Sequence, residues 1–69
     1  MENIRISLAA ARVNADLTQA EVAQKLHVSA QTILNWEKGK TGPTQVQAQE
    51  LSAIYGLPQD CIFFPYKSN

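Results

Sequence analysis

Residues 17–40 read LTQAEVAQKLHVSAQTILNWEKGK, and this stretch decides the fold. Thr18 and Glu21 have the spacing of a capping box, in which a hydroxyl and a carboxylate accept hydrogen bonds from backbone N–H groups at the start of a helix. An apolar face follows directly, as expected for a helix that packs on a core. The sequence therefore predicts a helix over residues 19–26.

A second helix start follows after a short turn. Ser29 is a favoured N-cap residue, and Gly39 can adopt the left-handed conformation that ends a helix. The sequence between them predicts a helix over residues 30–38, with its apolar side chains directed into a core. Two capped helices joined by a turn at residues 27–28 form the helix-turn-helix pattern.

Another helix is predicted on the N-terminal side of this pair. Ile4, Leu8 and Ala11 recur at helical spacing, which predicts a first helix over about residues 3–13. Strand signals are weak, because no segment alternates apolar and polar residues with hairpin residues beside it. The sequence therefore predicts an all-α fold.

Two further helices are predicted on the C-terminal side. Thr44 and Gln47 repeat the capping-box spacing and predict a fourth helix over about residues 45–55. Residues 59–64 can form a short fifth helix that ends at Pro65.

Composition limits the classes of protein that this chain can belong to. Its 69 residues suffice for one small domain, which we expect at residues 1–65 with a flexible tail at residues 66–69. Six Lys and Arg balance six Asp and Glu, so binding to a polyanion must come from local charge placement. The single cysteine cannot form an internal disulfide, and neither a signal peptide nor a membrane-spanning apolar run is visible. We therefore expect a soluble, cytoplasmic protein that does not bind membranes.

Taken together, these motifs resemble a known family. LTQAEVAQKL at residues 17–26, VS at 28–29, TI at 32–33 and WEKGK at 36–40 are similar to the Cro and cI repressor-like helix-turn-helix family, and residues 48–62 resemble that family's fourth and fifth helices. The resemblance implies a compact five-helix, lambda-repressor-like DNA-binding domain with the helix-turn-helix at helices 2 and 3. It also implies a transcriptional repressor or phage-type regulator whose helix 3 binds double-stranded DNA sequence-specifically, often as a dimer on a palindromic operator.

Three positions depart from the pattern of the family. His27 stands in the turn where the family usually has glycine, so His27 must accept a positive φ angle. Helix 3 opens with Ala30, where relatives often carry a long polar side chain, and has Leu34 at an outward position. The hydrogen-bonding capacity of helix 3 is therefore small.

The resemblance makes five residues of helix 3 candidate base contacts: Ala30, Gln31, Thr32, Leu34 and Asn35. Gln31 can pair with N6 and N7 of adenine, and Asn35 can reach a base edge or a phosphate. Thr32 offers a hydroxyl and a methyl group, whereas Ala30 and Leu34 offer only apolar contact to a thymine methyl. The alternative is that these are solvated helix residues, with Leu34 partly buried.

Candidate phosphate contacts are Gln19, Lys38, Lys40, Thr41, Thr44 and Gln45. The family uses the position of Gln19 for this contact, and backbone N–H groups at a helix N-terminus suit a phosphate. Thr44 and Gln45 open helix 4 in the same way, although capping alone also explains them. Between residues 22 and 49 a single acidic residue stands against three lysines, so the predicted DNA face is locally positive.

Predictions also follow for two pairs of residues. Arg12 and Glu37 occupy positions that often hold a bridging ion pair in the family, and we expect them to meet. Phe63 and Phe64 are adjacent, and two neighbours on a helix cannot both share its narrow inner stripe. We therefore expect at least one of them to be exposed and to form the surface of a weak homodimer, unless the chain folds back and covers both.

Other classes of function have less support in the sequence. His27, Asp60 and Cys61 do not have the spacing of a metal site or a nucleophile pair, so we expect no enzyme activity, metal, cofactor or small-molecule substrate. Trp36 and Tyr55 stand at core spacing rather than as a base-stacking surface. The alternative that remains is a protein-interaction module, antitoxin-like or regulator-binding, which keeps the fold without specific DNA readout.

Overall fold

The computed structural model describes residues 4–65, and the expected tail at residues 66–69 lies outside this range. The described chain is mostly helical and contains four α-helices, a single turn of 3-10 helix at Gln59–Cys61 and two very short strands. In chain order the elements are β1 (Ile6–Ser7), α1 (Leu8–Asn14), α2 (Gln19–Leu26), α3 (Ala30–Lys38), α4 (Gln45–Tyr55) and β2 (Ile62–Phe63).

The predicted bounds of α2, α3 and α4 are confirmed, because each helix starts at the N-cap that the sequence indicates. At the start of α2, the Glu21 backbone N–H donates to the Thr18 hydroxyl at 3.1 Å, and the Thr18 N–H donates to the Glu21 carboxylate at 2.8 Å. The hydrogen bond from the Thr18 backbone lowers the pKa of Glu21. Thr44 and Gln47 form the same reciprocal pair at the start of α4.

The prediction for α1 is wrong at its N-terminal end. The helix begins at Leu8 instead of residue 3, because Ser7 acts as N-cap and accepts a hydrogen bond from the Ala10 N–H at 3.0 Å. Ile4 is 78% exposed and does not extend the buried stripe. Residues 6–7 are extended because they pair with another strand, an interaction that helical spacing does not indicate.

The predicted fifth helix over residues 59–64 does not form, so the described residues contain four α-helices instead of the expected five, in a fold that is still mostly helical. After the turn of 3-10 helix, Ile62 and Phe63 extend and pair in parallel with Ile6 and Ser7, in the register Ile6 to Ile62 and Ser7 to Phe63. The backbone groups of residues 62–63 thereby find partners in β1 instead of within a helix. This two-stranded sheet joins the two ends of the described chain.

The core lies where all four helices meet the sheet. Its buried residues are Leu8, Ala11, Val22, Ala23, Leu26, Ile33, Trp36, Leu51, Tyr55 and Ile62. Trp36 and Tyr55 are thus core residues, as their spacing predicts. Among residues 4–65, no helix has the length and apolar character needed to cross a membrane.

Candidate nucleic-acid interface

The outer side of α3 carries the candidate base contacts. Ala30 and Gln31 are exposed, whereas Thr32, Leu34 and Asn35 are partly buried. The opposite side of the helix is fixed by Ile33 and Trp36, which are 1% and 4% exposed. The helix is therefore held by its apolar side and presents its polar residues to solvent.

Two of the candidate base contacts bind each other. The Gln31 side-chain Nε2 donates to Asn35 Oδ1 at 3.1 Å, one helical turn further along α3. Thr32 is engaged at the helix start, where its hydroxyl lies 3.0 Å from the Ser29 hydroxyl. The amide groups of Gln31 and Asn35 thus form one hydrogen-bonded unit on the helix surface.

Arg12 and Glu37 meet across the fold. Arg12 Nε lies 2.7 Å from Glu37 Oε2 and its Nη2 lies 3.4 Å from Oε1, while Nη1 donates to the Leu17 backbone oxygen at 2.9 Å. The Arg12 and Glu37 side chains are only 15% and 7% exposed. The hydrogen bond to Glu37 raises the pKa of Arg12. This largely buried ion pair fixes the last turn of α3 to α1.

Glu37 has a further partner that the sequence reasoning missed. The Gln19 side-chain Nε2 donates to Glu37 Oε1 at 3.0 Å, so the first residue of α2 contacts the end of α3. No regular spacing connects residues 19 and 37, and only the packing of α2 on α3 brings them together. Glu37 consequently links α1, α2 and α3 through one carboxylate.

The remaining candidate phosphate contacts follow α3 along the chain. Lys38 ends the helix and Lys40 lies just beyond it, and both are exposed, as are Thr41, Thr44 and Gln45. The only acidic residue between positions 22 and 49 is Glu37, whose charge is compensated by Arg12. The surface from the end of α3 to the start of α4 is therefore positively charged.

Phe63 and Phe64 have different environments. Phe63 is 43% exposed, whereas Phe64 is partly buried and packs against the core. The prediction that at least one is exposed is confirmed, but its reasoning from helical geometry is wrong. Phe63 belongs to a strand, in which successive side chains point to opposite faces.

A family model for helix-turn-helix proteins matches residues 8–58, which include all four α-helices. The chain belongs to the helix-turn-helix family. The resemblance to Cro and cI repressor-like proteins in residues 17–40 is confirmed by this match.

Two curated relatives are similar to this helix-turn-helix chain. It is 42% identical to an uncharacterized HTH-type transcriptional regulator of Methanocaldococcus jannaschii over 48 residues, 70% of this chain and 73% of that protein. It is 40% identical to the cryptic phage CTXphi transcriptional repressor RstR of Vibrio cholerae over 47 residues, 68% of this chain but 42% of that protein. No solved structure gives a significant match.

The turn of the helix-turn-helix contains a residue, His27, with an unusual backbone conformation. His27 ends α2 in the left-handed region with φ 59° and ψ 41°, a conformation for which the family usually has glycine. The expectation that His27 accepts a positive φ is confirmed. Its exposed side chain leaves the packing of α2 on α3 unobstructed.

Proposed function

We propose that the chain acts as one helix-turn-helix domain over residues 1–65, a sequence-specific regulator that binds double-stranded DNA with α3 in the major groove. One observation carries this proposal: α3 presents the Gln31 and Asn35 amides on a helix fixed by its apolar side and by Glu37. Base readout requires polar side chains on a rigid, exposed helix that fits the major groove. The two relatives are a transcriptional regulator and a transcriptional repressor by name, which supports this proposal.

The bond between Gln31 and Asn35 is compatible with base recognition. Bidentate pairing to adenine needs one N–H donor for N7 and one oxygen acceptor for the N6 amino group. Gln31 Nε2 has two hydrogens, of which Asn35 takes one. The other hydrogen and Oε1 stay available, so Asn35 can hold the Gln31 amide in position while Gln31 reads the base.

We assign the other residues to two roles. Ala30, Leu34 and Thr32 make apolar or hydroxyl contacts beside Gln31, and these discriminate weakly between bases. Six residues hold the DNA backbone: Gln19, Lys38, Lys40, Thr41, Thr44 and Gln45. Backbone contacts set orientation and affinity without reading sequence.

We further propose that two copies bind a palindromic operator as a weak homodimer through Phe63. A two-fold axis at this residue brings together the same apolar patch from both copies. Dimers of this motif bind half-sites about 34 Å apart, one turn of the duplex. The 43% exposure of Phe63 supports a contact surface at this position.

Selection of bound duplexes from a random library, at two salt concentrations, tests the proposed function. We expect an enriched palindrome whose affinity falls with salt. If each protomer places two or three cations near phosphates, the slope of log K against log salt is about −4 to −5. Absence of enrichment even at low salt would overturn the proposal and favour a protein-interaction module.

Two substitutions then separate base readout from backbone contact. Gln31→Ala should relax the preference mainly at one base pair, by about 1 to 3 kcal/mol. Lys40→Ala should weaken all duplexes alike and, because the dimer loses two cations, make the salt slope shallower by about 2. Lys40 is a better control for backbone contact than Gln19, because the Gln19 side chain also donates a hydrogen bond to Glu37. A uniform loss from both variants would contradict the assigned roles.

A further inference from the structure

The three residues that end the described chain, Phe63, Phe64 and Pro65, have different environments. Phe63 is exposed, but Phe64 lines an open groove of about 330 Å³ at the start of α4. The groove is also lined by Gly42, Pro43, Thr44, Gln45, Ala48 and Gln59. Pro65 packs on Gly39, where a methyl group added to the glycine would lie 3.2 Å from Pro65 Cβ.

These contacts bracket the segment that we call the α3–α4 loop, residues 39–44. Gly39 ends α3 with φ 79°, and Thr44 is the N-cap of α4. Between them the chain carries the exposed Lys40 and Thr41. Pro65 therefore contacts the start of the loop, and Phe64 lies beside its end.

The C-terminal segment is attached to the rest of the fold through the core and through the sheet. Ile62 is 2% exposed in the core, and residues 62–63 pair with β1. Phe64 and Pro65 follow immediately, so the loop contacts a segment that is anchored to the N-terminal part of the described chain. The helix-turn-helix family match ends at residue 58 and does not include this support.

We infer that Phe64 and Pro65 are positioning residues for the phosphate contacts of the α3–α4 loop, an inference that rests on the proposed function. Exposed loops fluctuate, and a loop ordered before binding loses less conformational entropy in the complex. Phe64 and Pro65 touch no DNA in this scheme. They hold the backbone of the loop so that Lys40, Thr41 and Thr44 face the phosphates together.

Two glycines provide a matched pair for the test. Gly39 and Gly56 both end a helix in the left-handed region, with φ 79° and 69°. Gly39→Ala and Gly56→Ala therefore introduce the same kind of backbone strain. Only the methyl group at position 39 meets Pro65, since nothing lies within 4 Å of the corresponding position at Gly56. The two variants therefore share the strain of a left-handed alanine and differ in the contact with Pro65.

The measurement is binding to a duplex carrying one selected half-site, as a function of salt. We expect Gly39→Ala to reduce affinity and to make the salt slope shallower by about 1, whereas Gly56→Ala keeps the slope of the unmodified chain. A purely structural role would lower the fraction of folded protein without changing the slope. Equal slopes for both variants would overturn the inference.

A double-mutant cycle between Phe64→Leu and Lys40→Ala gives an independent test. In the unmodified chain, loss of a charge-assisted phosphate contact at Lys40 weakens binding by about tenfold. With Phe64→Leu we expect Lys40→Ala to have less than half of that effect on log K, because the lysine is no longer held at the phosphate. Independent, multiplicative effects would contradict the positioning role.

The outcomes separate this inference from the proposed function. Failure of the unmodified chain to select any duplex overturns the proposed function together with the inference. Sequence-specific binding with equal salt slopes for Gly39→Ala and Gly56→Ala, or with multiplicative effects of Phe64→Leu and Lys40→Ala, overturns the inference alone.

Discussion

Removal of the Glu37 carboxylate tests how far one buried group holds the helix-turn-helix together. Glu37 accepts three hydrogen bonds, two from Arg12 and one from Gln19, and its side chain is 7% exposed. Glu37→Ala leaves the guanidinium of Arg12, itself 15% exposed, with the Leu17 backbone oxygen as its remaining partner. The variant therefore leaves a largely buried cation without a counter-charge.

The magnitude follows from the degree of burial. Exposed ion pairs contribute 0 to about 1 kcal/mol, and breaking a fully buried pair costs about 3 to 5 kcal/mol. The Arg12–Glu37 pair lies between these limits but closer to the buried one, so we expect a loss of about 2 to 4 kcal/mol. A domain of this size has a total stability of roughly 3 to 10 kcal/mol. The melting temperature should fall by about 10 to 25 °C.

Urea unfolding followed by the fluorescence of Trp36 measures this loss. The cycle of Arg12→Ala, Glu37→Ala and the double variant should give a coupling free energy of about 1.5 to 3 kcal/mol. Glu50→Ala removes an exposed acid from α4 and should change stability by less than about 0.5 kcal/mol. A coupling near zero, or a Glu37→Ala effect as small as that of Glu50→Ala, would refute the reasoning.

Three further predictions concern other parts of the fold. Burial raises the pKa of Tyr55 to about 12, above the ordinary value of about 10. The contribution of the neutral Tyr55 side chain to stability is therefore complete below pH 10 and is lost as pH rises towards 12. Between pH 9 and 11.5 the free energy of unfolding should fall by about 2 kcal/mol more in the unmodified chain than in Tyr55→Phe, and equal losses would show that Tyr55 does not cause the decline. His27→Gly should raise stability by about 0.5 to 1 kcal/mol in urea unfolding, because glycine adopts φ 59° without strain; destabilisation would contradict this. Phe63→Ser should leave stability within about 0.5 kcal/mol but shift the sedimenting operator complex from two protomers towards one; an unchanged complex would exclude the Phe63 dimer.

The sequence predicted the elements whose ends are determined locally. Thr18, Ser29 and Thr44 each accept a hydrogen bond from a backbone N–H three residues ahead, so the starts of α2, α3 and α4 can be read from a few adjacent positions. Ser7 provides the same signal for α1. The helical spacing of Ile4 with the apolar residues after it nevertheless led to a predicted start before Ser7.

The remaining features depend on contacts between distant residues. Each strand of the sheet has two residues, too few to show a periodic pattern, and its partner lies at the other end of the chain. The hydrogen bond from Gln19 to Glu37 similarly exists only after α2 has packed on α3. The Arg12–Glu37 contact could be anticipated only because the family resemblance supplied both positions.

The pairing of β1 with β2 has a consequence for the order of folding. Bringing Ile6 to Ile62 closes a loop of about 55 residues, whereas α2 and α3 meet across a short turn. The entropic free-energy cost of closing this long loop exceeds the cost of closing a ten-residue loop by about 1.5 kcal/mol. The helix-turn-helix can therefore form early, and the strands join it in a late step.

The reverse order applies to opening of the folded chain. Two short strands at the ends of the chain separate at a lower free energy than the core helices unfold, and native-state hydrogen exchange should resolve this difference. Such a partly open state keeps α2 and α3 folded while β1 and β2 are separated from each other. The temperature at which β1 and β2 separate is therefore the upper limit of the range in which the helix-turn-helix is part of the fully folded chain.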